Sequence, residues 1–414
     1  MLKRFLIILV ITILTSVSAS AQHNLVAKAK KAIDALTLTT DTYTGAMNTL
    51  KPALTDDATR NRAETWTLAS RIQVELYDKY MDNRRVGKNV DTKAMGHALI
   101  DAYQYGMTAL KLDTIHVLDN KGKPQIDKKT KLPKVKTKYS KDIINRLVDH
   151  HNDYRTAGSD LYNIKDWDGA YQAWDIYCML AQRTDDKRWQ VPDTTIAEVK
   201  YYQAIAAWQK GDTLQAVKLF SVARNMGYEH KEAYDYALIC LSDLGDEASI
   251  VKLAGEAYAK YGTSDPQYIR ILINDFINHQ QLDSANQLLD EALAANDQDD
   301  ELYNLKGLVV EHQSNMDDAL PYYLHCIELN DSNAQGLFNV GRYYYNQATI
   351  TRDRSSLVGK RLARLVNPIY SQALPYLEKS YNINPNNEDL KNALRDIYYK
   401  LGEADKLQRI ESNR

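Results

Sequence analysis

Asp149-His150-His151-Asn152-Asp153 is the densest run of potential metal ligands in the chain. Neighbouring positions on a helix point apart, so two adjacent histidines cannot close on one ion, and a solvated helix surface accounts for them better. No His-Glu-x-x-His, Gly-x-Ser-x-Gly or phosphate-loop pattern occurs, and Val358-Gly359-Lys360 lacks the upstream glycine a phosphate loop needs. Glycine is scarce, 17 in 414 residues, so Gly-rich ligand loops are scarce too. No catalysis, cofactor or metal is expected from these patterns. The chemistry left is recognition. In the helices described below, side chains not required for packing include Arg270, Asn274 and Asn278, then Asn304, then Asn339, Arg342, Tyr345 and Asn346. They continue with Lys391, Asn392, Arg395 and Tyr398. Asparagine offers a donor and an acceptor to a peptide backbone, and arginine or lysine a charge to a carboxylate. A solvated polar helix face is the plain alternative.

A second group is electrostatic. Nine lysines fall between Lys121 and Lys141 against one acid, Asp127. Gly122, Pro124 and Pro133 break any helix there, so residues 114–139 read as an inserted irregular loop or a small β-hairpin. The segment suits an acidic partner, a phosphate-bearing lipid or another polyanion, although like-charged runs usually stay solvated. A glycan-binding alternative would use tyrosines such as Tyr343-Tyr344-Tyr345 with Tyr398-Tyr399, provided they are exposed together. The whole chain carries a net charge of −2, which gives no bias toward nucleic acid.

These residues need elements to position them. The first 21 residues are not expected to join the fold. Lys3-Arg4, an apolar run from Phe5 to Leu14 interrupted only by Thr12, and Ala19-Ser20-Ala21 form the three regions of a secretory signal peptide, cut before Gln22. The apolar run is short for a membrane span, and no later stretch is long enough to be one. No cysteine lies near the cleavage site, which argues against a lipid anchor. The expectation is an exported protein, periplasmic or secreted. Cys178, Cys240 and Cys326 are the only cysteines, and their spacing suits neither a disulfide framework nor a zinc site. Tyrosines number 29 and phenylalanines 4, as suits a thin helical stack whose large side chains are half wetted.

Helical periodicity runs through the rest of the chain. Residues 25–54 read as two short helical segments, 58–82 as an amphipathic helix, and 93–112 as its partner with Ala98, Ala102, Gly106 and Ala109 in one stripe. From residue 140 the pattern repeats. Small residues recur at Ala170, Ala216, Ala285, Ala319 and Ala373, with Ile250 in the same slot, at spacings of 46, 34, 35, 34 and 54. Seven residues after each lie Tyr177, Ala223, Ala257, Ala292, Cys326 and Ser380. Between them sit Trp174, Phe220, Ala254, Leu289, Tyr323 and Leu377. Within 300–333, Gly307 and Ala319 mark a close approach of two helix backbones. The spacing of 46 reflects extra residues around 184–192, and that of 54 an insertion inside one hairpin, from about Ala348 to Leu365, which would lengthen both helices. Ala319-Leu320-Pro321-Tyr322 and Ala373-Leu374-Pro375-Tyr376 repeat one motif, with proline placed early in each helix.

This small, large, small pattern with a period near 34 resembles the tetratricopeptide repeat (TPR). The resemblance covers about 151–401 and, more weakly, 58–113. It implies an all-α fold, a right-handed superhelical α-solenoid of helical hairpins. The hairpins are expected at about 151–184, 197–230, 231–265, 266–299, 300–333 and 334–386, followed by capping helices near 388–401 and 403–411. The layout would then be signal peptide 1–21, an N-terminal helical region 22–113, the insertion 114–139 and an array over 140–414. It also resembles exported TPR proteins of Bacteroidota, which share a leader ending Ala-Gln, a lysine-rich insertion and an interrupted penultimate repeat. Such arrays imply a non-enzymatic scaffold that holds a peptide or a partner's helix on its inner, first-helix surface. Members that bind peptide C-termini use Asn, Lys and Arg on first helices, and Asn339, Lys391, Asn392 and Arg395 match in type.

Overall fold

Short side chains with oxygen atoms start several of the helices. Asp166, Asp212 and Asp246 each accept a backbone N–H three residues on, the usual device for starting a helix. The residue before each cap is left-handed: Lys165, Gly211 and Gly245 have φ of 62°, 91° and 68°. Glycine suits this position because it has no Cβ to clash; Lys165 occupies it without that advantage. Such a turn folds α6 (His151–Asn163) back on α7 (Trp167–Ala181), and α8 (Asp193–Gln209) back on α9 (Thr213–Asn225).

In a computed structural model of the chain, the described residues are 22–35, 38–128, 131–184, 187–262, 265–313 and 316–412. The leader expected over 1–21 lies outside them, as do Asp185-Asp186 of the extra segment and Ser314-Asn315 of one hairpin turn. The fold is all-α apart from one small β-element, and it divides into two compact units at Leu244 and Gly245.

The first unit opens with α1 (22–33) and α2 (Thr40–Leu50), which ends in a short 3-10 turn, Lys51–Leu54. Helices α3 (Ala63–Arg85) and α4 (Thr92–Asp113) form a long pair. Ala98, Ala102 and Ala109 are buried, and a Cβ at Gly106 would stand 3.1 Å from Ser70 Oγ on α3. Strands β1 (Ile115–His116) and β2 (Val135–Lys136) follow, antiparallel, so the insertion is a hairpin. Then come α5 (Ser140–Asp149), α6 (His151–Asn163), α7 (Trp167–Ala181), α8 (Asp193–Gln209), α9 (Thr213–Asn225) and α10 (Glu232–Leu244). The extra residues before α8 return a 3-10 turn, Lys187–Trp189, whose indole is fully buried.

The second unit contains α11 (Glu247–Tyr261), α12 (Pro266–Asn278), α13 (Leu282–Ala295), α14 (Asp300–Gln313) and α15 (Met316–Leu329). It closes with α16 (Ala334–Arg354), α17 (Gly359–Ile383), α18 (Glu388–Leu401) and α19 (Ala404–Ser412). Within the units, α10 packs on α9 in the first, and α11 on α12 in the second. The insertion of 348–365 extends α16 and α17 to 21 and 25 residues. Pro375 therefore lies deep inside α17, not early as its counterpart suggests, because the added turns precede it.

The two stripes form the core. Ala170, Ala216, Ala285, Ala319 and Ala373 are each 0 % exposed, as are Phe220, Leu289, Tyr323 and Leu377 between the stripes. Ile250, a larger side chain in the same slot, is only half-buried. At Gly307 the approach is filled by a large side chain four residues after Ala319. A Cβ at Gly307 would lie 2.5 Å from the Tyr323 ring, and one at Gly341 2.5 Å from Leu377. Gly158 faces Trp174 in the same way. The partners are 16 residues apart in two hairpins and 36 in the third, where the insertion adds the other 20. A first-helix glycine thus receives the large residue of the second helix. The three cysteines are buried and free, with thiols pushed up to about 11 at Cys178 and Cys240 and about 12 at Cys326 by burial.

His150 and His151 are not a solvated surface. The helix breaks at His150, between α5 and α6, and this turns His151 inward to 3 % exposure. Its ring stacks on Tyr177 at 4.6 Å, and Nε2 donates to the Tyr177 carbonyl at 2.9 Å. Burial holds it below its usual pKa. His150 instead reaches Asp78 Oδ1 (3.0 Å) and the Arg146 carbonyl (2.8 Å). Burial opposes protonation there, but these two acceptors outweigh it and raise the pKa. Among the described residues, no three metal-ligating side chains gather.

Candidate binding clefts of the second unit

The first helices α12, α14, α16 and α18 carry the polar residues singled out by sequence. A side chain four places along a helix lies on the same face, so Asn304 shares its face with Leu308, and Gln335 shares its face with Asn339. These four residues meet across α14 and α16. One cleft of about 450 Å³ is lined by Leu308, Gln335, Phe338, Asn339, Arg342, Tyr345, Asn346, Leu377, Asp389 and Ala393. A second, of about 250 Å³, is lined by Arg270, Asn274, Glu301, Asn304, Leu305, Leu308, Gln335 and Asn339. They share Leu308, Gln335 and Asn339 and so adjoin.

The polar side chains in these clefts fall into two groups. Asn304 and Asn339 are 4 % and 3 % exposed, and the Asn339 amide donates to Asn304 Oδ1 at 2.9 Å. Arg342 grips Glu311 with two bonds of 2.8 and 2.7 Å and also reaches Asn339 Oδ1 at 3.3 Å. The Tyr323 hydroxyl donates to the same Glu311 at 2.8 Å. One polar chain therefore links α14, α15 and α16. Arg270 is likewise held by Glu301, at 3.0 and 2.7 Å. Both guanidinium groups already have carboxylates, so neither is a vacant anion site. Asn274 and Gln335 form the second group. Both are exposed and make no hydrogen bond among the described residues.

The remaining predicted positions are elsewhere or occupied. Tyr345 donates to Asp396 Oδ2 (2.9 Å), and Asn346 approaches the Met316 sulfur (3.3 Å). Lys391, Asn392, Arg395 and Tyr398 line neither cleft. Lys391 is 8 % exposed with its ammonium 3.9 Å from Glu388, and Arg395 donates to Asn392 Oδ1 at 3.2 Å. Tyr398 is buried at the other face of α18, donating to Glu378 at 3.0 Å beside Lys406. A terminal-carboxylate clamp built from Asn339, Lys391, Asn392 and Arg395 is not assembled. The tyrosine platform fails for a related reason: Tyr344 stacks on Tyr376, Tyr343 donates to Asp317, and of the five only Tyr399, 76 % exposed, stands open. The residues missed from sequence, Leu308, Gln335 and Phe338, were findable in part. Gln335 is Asn339 minus four, and Leu308 is Asn304 plus four.

Small residues at 0 % exposure in the second helices, a glycine facing the large residue between them, and polar first helices decide the architecture. These are tetratricopeptide-type hairpins. No protein-family model matches the chain, and no curated protein does. Solved structures similar to it are TPR proteins. YrrB, a TPR protein with an unusual peptide-binding site, is 17 % identical over 48 % of this chain and 91 % of its own, with a TM-score of 0.31. A thermophilic TPR protein of Thermus thermophilus is 15 % identical over 49 % and 99 %, with a TM-score of 0.34. The C-terminal part of a TPR repeat-containing protein from Cytophaga hutchinsonii is 14 % identical over 62 % and 93 %, with a TM-score of 0.40. The TPR assignment rests on the chain's own stripes.

Proposed function

We propose that this protein is a non-enzymatic TPR scaffold of the cell envelope that holds an extended peptide segment of a protein partner. The observation that carries the reading is the continuity of the two clefts across α12, α14, α16 and α18. At about 10 Å between neighbouring helices and about 3.3 Å per extended residue, four first helices accommodate about nine residues of peptide. Leu305, Leu308, Phe338 and Leu377 give an apolar floor, while Asn274 and Gln335 leave free amides for a peptide backbone. Because Arg270 and Arg342 are already neutralised, the favoured ligand is apolar and backbone-read, not a free carboxylate.

Export is part of the same proposal, supported by the leader pattern of residues 1–21. No described helix is long and apolar enough to cross a membrane. Mass spectrometry of the envelope fraction should find a mature N-terminus at Gln22; an intact Met1 in the cytoplasm would contradict export.

The groove is tested by affinity capture from envelope extract with wild type and Asn274→Trp/Gln335→Trp. Both positions are exposed, so the indoles fill the clefts without entering the core. Proteins held by wild type should be lost from the variant at unchanged helical circular dichroism. An identical set of captured proteins would exclude the clefts as the binding site.

A further inference from the structure

The hairpin between α4 and α5 has no role in the stack. Its backbone pairs Ile115 with Lys136 and His116 with Val135, while isolated bridges join Leu118 to Pro124 and Ile126 to Pro133. Paired residues share a face, and alternate residues along a strand return to it. His116, Leu118, Pro124, Ile126, Pro133 and Val135 therefore occupy one face of a three-segment sheet, while Ile115 and Leu132, 63 % and 64 % exposed, fall on the other with Lys123, Lys134 and Lys136. Among the described residues nothing covers that face: Leu118, Ile126 and Val135 are 54 %, 53 % and 46 % exposed. Five exposed aliphatic side chains gathered on so small an element mark an interaction surface.

The charge around it specifies the partner. Lys121, Lys123, Lys128, Lys131, Lys134 and Lys136 are exposed, and none makes an ion pair among the described residues. The segment contains no arginine, so it lacks the planar fork that reads individual phosphates or carboxylates in pairs. It also offers no aromatic platform for stacking bases, since its one tyrosine, Tyr139, is half-buried beneath Lys138. Many point charges interleaved with exposed aliphatic side chains on one small hairpin fit a diffuse negative surface with an apolar layer beneath it. The hairpin is also held firmly at its base. Asp113, 3 % exposed at the end of α4, accepts from the backbone N–H groups of Lys138, Tyr139 and Ser140 and from the Ser140 hydroxyl, at 2.7–2.9 Å.

We propose that the 115–136 hairpin docks the protein on an anionic phospholipid bilayer, its lysines meeting headgroup phosphates while Leu118, Ile126 and Val135 enter the interfacial layer. The test is co-sedimentation of the full chain with vesicles of phosphatidylcholine, with and without phosphatidylglycerol. Wild type should pellet with the anionic vesicles alone, and less so as salt rises. Lys121→Gln/Lys123→Gln/Lys134→Gln/Lys136→Gln should weaken that binding on the order of 10²–10³-fold, at the worth of a lysine near such a surface. Leu118→Asn/Ile126→Asn/Val135→Asn, all at exposed positions, should weaken it about 100-fold while leaving retention on a heparin column unchanged. Wild type that ignores anionic vesicles overturns the proposal. So does an asparagine variant that pellets like wild type, which would make the hairpin a general polyanion site.

Discussion

Tyr323→Ala is expected to destabilise the second unit by about 3–5 kcal/mol, the cost of deleting a fully buried aromatic ring. The ring is 0 % exposed and fills the space left by Gly307, which has no side chain to collapse into the cavity. Its hydroxyl also donates to Glu311, the carboxylate that holds Arg342, which in turn bonds Asn339. Burial and the nearby Glu311 both raise its pKa, so it remains a protonated donor. Stability in a repeat stack is close to a sum of repeat and neighbour terms, so damage here spreads to the adjoining hairpins. Urea melts of the full chain should show an earlier transition in the variant. Gly307→Ala supplies the internal check. In wild type the added Cβ overpacks against the ring, at a cost of about 1–3 kcal/mol less the gain in helix propensity. In the Tyr323→Ala background it fills part of the cavity, so the two losses should not add. A Tyr323→Ala loss below about 1 kcal/mol would contradict the packing described.

Asp113→Ala should cost about 3 kcal/mol, from charge-assisted bonds and a lost helix cap. The Asp113 carboxylate caps α5 from 27 residues away in sequence and closes the hairpin between them. Burial alone would raise its pKa; the N–H groups of Lys138, Tyr139 and Ser140 and the Ser140 hydroxyl outweigh that and hold it below the usual value. The sign follows from this depression. The unfolded carboxyl takes its proton near pH 4, before the folded one does. Asp113 therefore contributes its full stability above about pH 4, and loses it as pH falls through its lower folded pKa. Hydrogen exchange of residues 115–149 should speed up in Asp113→Ala at neutral pH, and the variant should show a shallower acid transition. Unchanged protection of α5 would mean that the hairpin's base is held by something else.

The core was legible because it is built from volume. Alanine at 170, 216, 285, 319 and 373 is a constraint that one sequence exposes, since a larger side chain would separate the helices. The clefts were legible only in part. Helical periodicity places Asn304, Asn339 and Arg342 on the first-helix face, but it does not reveal that Glu311, on the same helix as Asn304, returns to neutralise Arg342. Nor does it reveal that Asn304 and Asn339 satisfy each other. Polar residues that look free in one helix are bonded across two. Tyr398 failed for the same reason, as its partner Glu378 lies on α17, whereas Lys391 lies near Glu388, three residues earlier on its own helix. The histidine pair shows the converse: one helix break at His150, invisible to periodicity, carries His151 into the core.

The central claim is that the adjoining clefts on α12, α14 and α16 hold a partner's peptide. A photo-cross-linking amino acid placed at Gln335 tests it most directly, in the full chain and in living cells. A matched probe at Glu328, exposed on α15, serves as the control. The account predicts a discrete cross-linked protein from Gln335 and none from Glu328. Equal labelling at both positions, or no product at Gln335 from a folded and correctly located protein, would contradict it.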